Sequence, residues 1–311
     1  MKLPPARIVP AAITVAVLAL VGVADWLSPE FLRRFEWITY DWRVRKAFET
    51  QQPISTNLAA IFVDDESMQV INEEFDLSWP WPRVFHGRLV DELKAQHVSA
   101  VGFDIFFIES MRCPEDATME LGGRTYSSDE WLSRAIGLSS NVFLGVPGQT
   151  ISNVWSAVAP HAMFRSRAAG LGLAVSDRDT DGVLRRAKPF RDDPELGRIW
   201  HLGIVMASRL LKLDLDNAVI RDDRIELFGP GGIRRVIPTD EEGFFDIDWS
   251  IAWNDPRMTK GSFEEILNME ADHAEGNGTA GHRLNGQLAG KLVFVGSIAA
   301  GNNVSDVGAS P

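Results

Sequence analysis

The sequence predicts an α/β fold: a mainly parallel central sheet flanked by helices, with an antiparallel β insertion in the second half, preceded by one transmembrane helix. Three observations carry this. Two apolar runs, LAAIFV at 58–63 and VSAVGF at 98–103, are joined by a helical pattern, and such a crossover makes a parallel strand pair. From Gly170 onward, short alternating segments are divided by Asp-Gly, Gly-Pro-Gly-Gly and Glu-Gly turns, as in antiparallel strands. Near the start, Ile8–Ala24 runs for 17 residues without a charge. At about 1.5 Å per residue that reaches roughly 25 Å, the short end of a bilayer span.

The composition of the 311 residues, 45% hydrophobic and 24% charged, is that of a globular chain. A single cysteine, Cys113, excludes an intrachain disulfide and a cysteine-based zinc cluster. Lys and Arg number 31 against 43 Asp and Glu, a net charge of −12, which argues against nucleic acid as a partner. Residues 1–27 form the expected anchor, 28–50 a juxtamembrane stalk and 51–311 the body. Anchor and stalk each carry +1, which leaves −14 on the body, a water-facing surface that would not cling to anionic lipid.

The apolar run ends at Asp25-Trp26 with no clean small-x-small cleavage site, so residues 8–24 are expected to stay in the bilayer. Lys2 and Arg7 precede the run and five basic residues follow it, interleaved with acids, and these charges leave the orientation open. Residues 28–50 read as an amphipathic helix, with Ser28 as N-cap, Pro29 at the first position and Phe31, Phe35, Ile38 and Trp42 on one stripe. Trp26, Trp37, Tyr40 and Trp42 sit where interfacial aromatics sit. The stripe fits either a helix packed on its own domain or a signalling stalk paired with a second copy.

In the body, Gln51-Gln52-Pro53 marks a break, and the strand Leu58–Val63 ends at Asp64, Asp65, Glu66 and Ser67. Trp79-Pro80-Trp81-Pro82-Arg83 then opens a helix to about Gln96, with Phe85, Leu89, Val90 and Leu93 as its core face. The second strand runs from Val98 to Asp104 and residues 109–130 are a polar loop or insertion. Asp129–Ser139 is a short helix and Asn141–Val146 a third buried strand. A helix at Arg198–Leu211 interrupts the antiparallel segments, and a last strand covers Lys291–Val295 before a Gly-Ser turn.

Five segments, in this order, resemble the type-two CHASE domain, a cyclase- and histidine-kinase-associated sensory extracellular domain of bacterial transmembrane receptors. They are EWITYDWRVRKAF at 36–48, FVDDES with WPWPR at 62–83, and VSAVGFDIFFIE at 98–109. AGLGLAVSDRDTDGVLRRAKPF at 169–190 and GKLVFVGSIAAGNNVSDVGASP at 290–311 complete the set. Glu73-Glu74-Phe75-Asp76 and residues 110–130 depart from the family pattern outside those motifs. The resemblance implies a homodimeric receptor in the bacterial inner membrane, held by residues 8–24, with residues 51–311 in the periplasm. It also implies later transmembrane helices and a cytoplasmic output domain, an adenylate or guanylate cyclase or a protein kinase, beyond Pro311.

The parallel strands bring Asp64, Asp65, Glu66, Asp104, Gly296 and Ser297 to one sheet edge, where α/β folds bind ligands, with Trp79, Trp81 and Arg83 as a wall. An unknown small extracytoplasmic ligand is the expected occupant. The competing reading has Asp64 or Asp65 capping a turn, Asp104 paired with Arg83, and the tryptophans in the core. A metal-assisted hydrolase built on Asp64, Asp65, Glu66 and Asp104 is the alternative function, and a scaffold without ligand is a third. Against catalysis, no nucleophile–base pair accompanies the carboxylates, and His86 is expected on the helix surface. No cofactor or metal site is expected. Asp177-x-Asp179-x-Asp181-Gly182 begins like a calcium loop, but Lys188 holds its twelfth position, so a turn on Asp181-Gly182 is predicted. Cys113 is no more than a redox handle in a polar loop.

Overall fold

The structure, a computed structural model, describes residues 5–27, 29–49, 54–111, 117–151, 154–175, 177–249, 251 and 255–299. Ser28, Gln51-Gln52-Pro53, Cys113 and the end of the closing family motif lie outside these residues. The chain divides into two compact units. The first holds helix α1 (Pro5–Leu27) and helix α2 (Pro29–Glu49), with Asp248, Trp249 and Ile251.

Both N-terminal helices form where the sequence puts them. The side chains of α1 from Val9 to Val23 are exposed and mostly aliphatic. Among the described residues, however, no helix is long and apolar enough to cross a membrane. In α2 the expected stripe is not the covered one. Phe35, Ile38 and Trp42 are exposed, while Trp37, Tyr40, Asp41, Val44 and Ala47, on the opposite face, are half-buried. Apolar residues on both faces give α2 two candidate contact surfaces, and periodicity alone cannot rank them.

The second unit is built on a six-stranded, wholly parallel sheet. Its strands are β1 (Leu58–Val63), β2 (Ala100–Phe103), β3 (Val142–Val146), β4 (Gly170–Leu173), β5 (Thr259–Ser262) and β6 (Leu292–Ser297). Their order is β5-β1-β6-β2-β3-β4, so β6 enters between β1 and β2. It pairs Leu292 with Leu58 on one side and with Ala100 on the other.

Both faces of the sheet are covered, and side chains alternate between them. Ile61, Val63, Val101, Phe103, Leu144, Val293 and Val295 join the main core. There they meet α3 (Asp65–Phe75), α4 (Arg83–Ala95), α5 (Ser128–Ser139) and α8 (Phe263–Glu275). A four-residue helix, α6 (Ala162–Arg165), adds Phe164 to this layer. Ala100, Phe143 and Leu292 point the other way, onto Leu202 and Met206 of α7 (Leu202–Leu211). Glycine lets α7 come close: a Cβ on Gly102 would overlap the Met206 sulfur, and one on Gly172 would overlap the Leu202 backbone.

Two expectations are corrected, and a third is refined. Gly170–Leu173 is a parallel edge strand paired with β3, because Phe143 and Leu144 of β3 take it into register before the hairpins begin. Arg198–Trp200 belongs to a strand paired with Phe190–Asp193, and the helix starts only at Leu202, after His201 has capped it by accepting from the Gly203 N–H. Residues 109–130 include a small hairpin, Met119–Leu121 with Arg124–Tyr126, turning at Gly122-Gly123. The remaining antiparallel pattern holds, with Asp214–Ile220, Arg224–Phe228 and Arg234–Pro238 in one three-stranded sheet. The sequence reading did not place α3, β5 or α8.

The α7 contact yields the first prediction. Gly102→Ala should destabilise the chain by about 1–3 kcal/mol through overpacking, and the cost should vanish in a Met206→Ala background. Urea unfolding of the four species measures this. Equal costs in both backgrounds would show that the Met206 sulfur is not what fills the space.

Candidate functional site

The C-terminal ends of β1, β6 and β2 lie side by side at one edge, as the parallel directions require. Asp104 follows β2 in register with Gly296; its N–H donates to Val295 O at 2.8 Å. A Cβ built on Gly296 would lie 3.7 Å from Asp104 Cβ. Ser297 is opposite Val63, and its hydroxyl donates to Val63 O at 3.3 Å. The fold thus brings Asp104, Gly296 and Ser297 together.

Asp64 is turned elsewhere. It caps α3: its Oδ1 accepts from the Ser67 N–H at 2.9 Å and from the Ser67 hydroxyl at 2.6 Å. Asp65 and Glu66 occupy the exposed first turn of α3, where negative charge suits the helix dipole. The fully buried Ser67 also contacts Glu264 at the start of α8, and Glu264 contacts the Ser262 hydroxyl. Beyond β1 and β5, then, the chain's own carboxylates hold the two helix starts. Asp64 and Asp104 are separated by β6 and by two residues of register, roughly 12 Å from strand spacing and rise. The alternative of a metal-assisted hydrolase loses its centre: no group of three or more His, Cys, Asp or Glu able to hold a metal ion occurs among the described residues.

Trp81 and Arg83 are core rather than wall. Trp81 is 1% exposed, set between Trp79 and Phe263 with ring centroids 5.1 and 5.2 Å away. Trp79, half-buried, closes this aromatic cluster from outside. Arg83 pairs with Asp129: Nη1 lies 3.2 Å from Oδ1, and both side chains are buried. Its guanidinium also lies over the Phe107 and Phe164 rings. Asp129 Oδ2 accepts from the Ser110 hydroxyl and the Met111 N–H, and the Val84 N–H donates to the Ser128 hydroxyl. The starts of α4 and α5 are therefore bolted together by a buried charge pair whose oxygens are both used. Removing one partner of such a pair costs about 3–5 kcal/mol.

His86 is not on the helix surface. It is 3% exposed, ringed by Trp79, Phe103, Phe107 and Phe263, and neither ring nitrogen has a hydrogen-bond partner. Burial, and then the Arg83 charge, push it down to about 3 from 6.5. The spacing held a signal for this: His86 precedes Leu89 and Val90 by three and four residues, on the core face of α4. The calcium-like stretch is a turn, as expected. Gly182 has φ +82°, Asp181 accepts from the Val183 N–H, and Arg185 bridges Asp179 and Asp181.

The model of the CHASE2 domain family matches the chain over residues 13–311. The chain belongs to the CHASE2 family. CHASE2 domains are extracellular sensory domains of signalling receptors and not catalytic ones. No curated protein and no solved structure matches the chain. In this CHASE2 chain the WPWPR segment serves the core through Trp81 and Arg83, and the FVDDES segment builds the capped start of α3.

Neutral His86 makes stability pH-dependent. The unfolded chain takes a proton near 6.5 and the folded one only near 3. The stabilisation is complete above about 6.5 and is lost as pH falls from there toward 3, with a slope of up to about 1.4 kcal/mol per pH unit. His86→Phe should flatten the fall of the guanidinium midpoint between neutral pH and about pH 4.5. Parallel curves for the two proteins would contradict a neutral buried imidazole.

Proposed function

We propose that the chain is the extracytoplasmic sensory part of a bacterial inner-membrane receptor that works as a homodimer and controls a nucleotide cyclase or a protein kinase. The observation that carries this is the CHASE2 match over residues 13–311. Three features support it. The exposed aliphatic surface of α1, from Val9 to Val23, suits the bilayer, which would hold the chain through residues 8–24. Phe35, Ile38 and Trp42 form an exposed stripe on α2 that suits a second copy. The body's charge of −14 suits a water-facing domain held off an anionic lipid surface. A stimulus acts by binding two conformations of the body unequally, and α2 passes the difference on.

Topology is the first test. Alkaline phosphatase fused after Asp222, in the tight turn between two strands of the antiparallel sheet, should be active. A fusion that is inactive there while a cytoplasmic reporter is active removes the sensor assignment. The stalk is the second. Phe35→Ser with Ile38→Ser should lower crosslinking between α2 helices in membranes without changing the melting of the body. Undiminished crosslinking would move the dimer contact to the opposite face, Trp37, Tyr40 and Val44.

A further inference from the structure

A cleft of about 440 Å³ opens between α5, the Met119–Tyr126 hairpin and α6. Its size is that of a small-molecule site. Arg124, Arg134 and Arg167 line it, against one carboxylate, Glu130. In a body of net charge −14, three guanidiniums around one concavity is a local reversal of sign. The Tyr126 ring and the Leu138 and Met163 side chains supply apolar lining.

The three arginines are committed unequally. Arg124 lies 3.2 Å from Glu130 and 4.6 Å from the centroid of the Tyr126 ring. Arg134 is stacked on Trp131 at 4.7 Å and only loosely held by Asp91, at 3.8 Å. Arg167 has no carboxylate partner among the described residues, and its stem lies across Gly137 of α5, 3.3 Å from where a Cβ would stand. The framework around them is fixed. Ser127 and Glu130 form a reciprocal cap on α5, and the Ser133 hydroxyl donates to Met163 O at 3.0 Å. A planar guanidinium presents paired donors to carboxylate or phosphate, and an arginine preset on an aromatic face loses little freedom on binding.

We propose that this cleft binds a small organic anion, a carboxylate or phosphate with an apolar or aromatic body, its charge held by Arg167 and Arg134 and its body laid on Tyr126, Met163 and Leu138. The site is separate from the strand-end edge, and binding there stands whether or not the body is extracytoplasmic. It also offers a route to the core. α5 carries Asp129 at its start, so an anion that moves α5 works directly on the buried pair with Arg83.

Calorimetry on the full chain in detergent tests this, with phenyl phosphate, benzoate and inorganic phosphate as probes. Phenyl phosphate or benzoate should bind once per chain with Kd below about 1 mM. Arg167→Ala should weaken it at least about tenfold, Arg167→Lys less, and Arg198→Ala, in a distant exposed ion pair with Asp192, not at all. Phosphate should bind more weakly than its phenyl ester. Whichever organic probe binds tells carboxylate from phosphate. Affinity unchanged in Arg167→Ala, or no saturable heat from any probe up to about 10 mM, overturns the site. Phosphate binding as tightly as phenyl phosphate overturns the apolar half of the assignment.

Discussion

The central sheet depends on a strand that arrives last. β1 and β2 are joined by the α3–α4 crossover yet do not touch; β6 fills the gap and hydrogen-bonds to both. Val293 and Val295 of that strand are fully buried in the main core. Until it inserts, the backbone edges of two buried strands have no partner, and such edges cannot stay in a dry interior. The constraint makes this unit cooperative across most of its length, because a contact between residues 58 and 292 rewards the chain only after a long loop has closed. It also creates the strand-end edge, since Gly296 and Ser297 reach Asp104 and Val63 only by this insertion.

Around the sheet, polar groups are buried where helices start. Asp64 caps α3 through Ser67, Ser67 reaches across to Glu264 at the start of α8, and Arg83 at the start of α4 pairs with Asp129 at the start of α5. Free N–H groups at a helix start attract exactly this kind of carboxylate or hydroxyl partner. The consequence for function is that Asp64, the first of the acids after β1, is committed to the start of α3. The arginines of the α5 cleft have fewer internal partners and face solvent, which is the condition for binding something from outside.

His86 sits between these two regimes. An imidazole with no hydrogen bond, enclosed by four aromatic rings, stays neutral because burial, and then the neighbouring Arg83 charge, oppose its taking a proton. It is a polar group held in the core at a cost, one turn from the Arg83–Asp129 pair that joins α4 to α5. Movement of α5 against α4 would change the surroundings of both.

The sequence by itself determined the elements with strong local patterns. β1, β2, β3 and β6 read as buried runs, α4 and α5 as helices, Asp181-Gly182 as a turn, and the ordered segments as those of a CHASE2 chain. A cap signal for α3 was also there, in Asp64 followed by two acids and then Met68 and Ile71 at helical spacing. What only the tertiary structure decided was partnership. Asp129 lies 46 residues from Arg83, Glu264 lies 197 from Ser67, and the direction of Gly170–Leu173 came from β3 beside it. The covered face of α2, the burial of His86 and the gathering of Arg124, Arg134 and Arg167 belong to the same class. Periodicity reports which face of an element is apolar, because that is a local property of spacing. Which group neutralises a charge or covers a face is set by elements distant in the chain, and no local spacing encodes it.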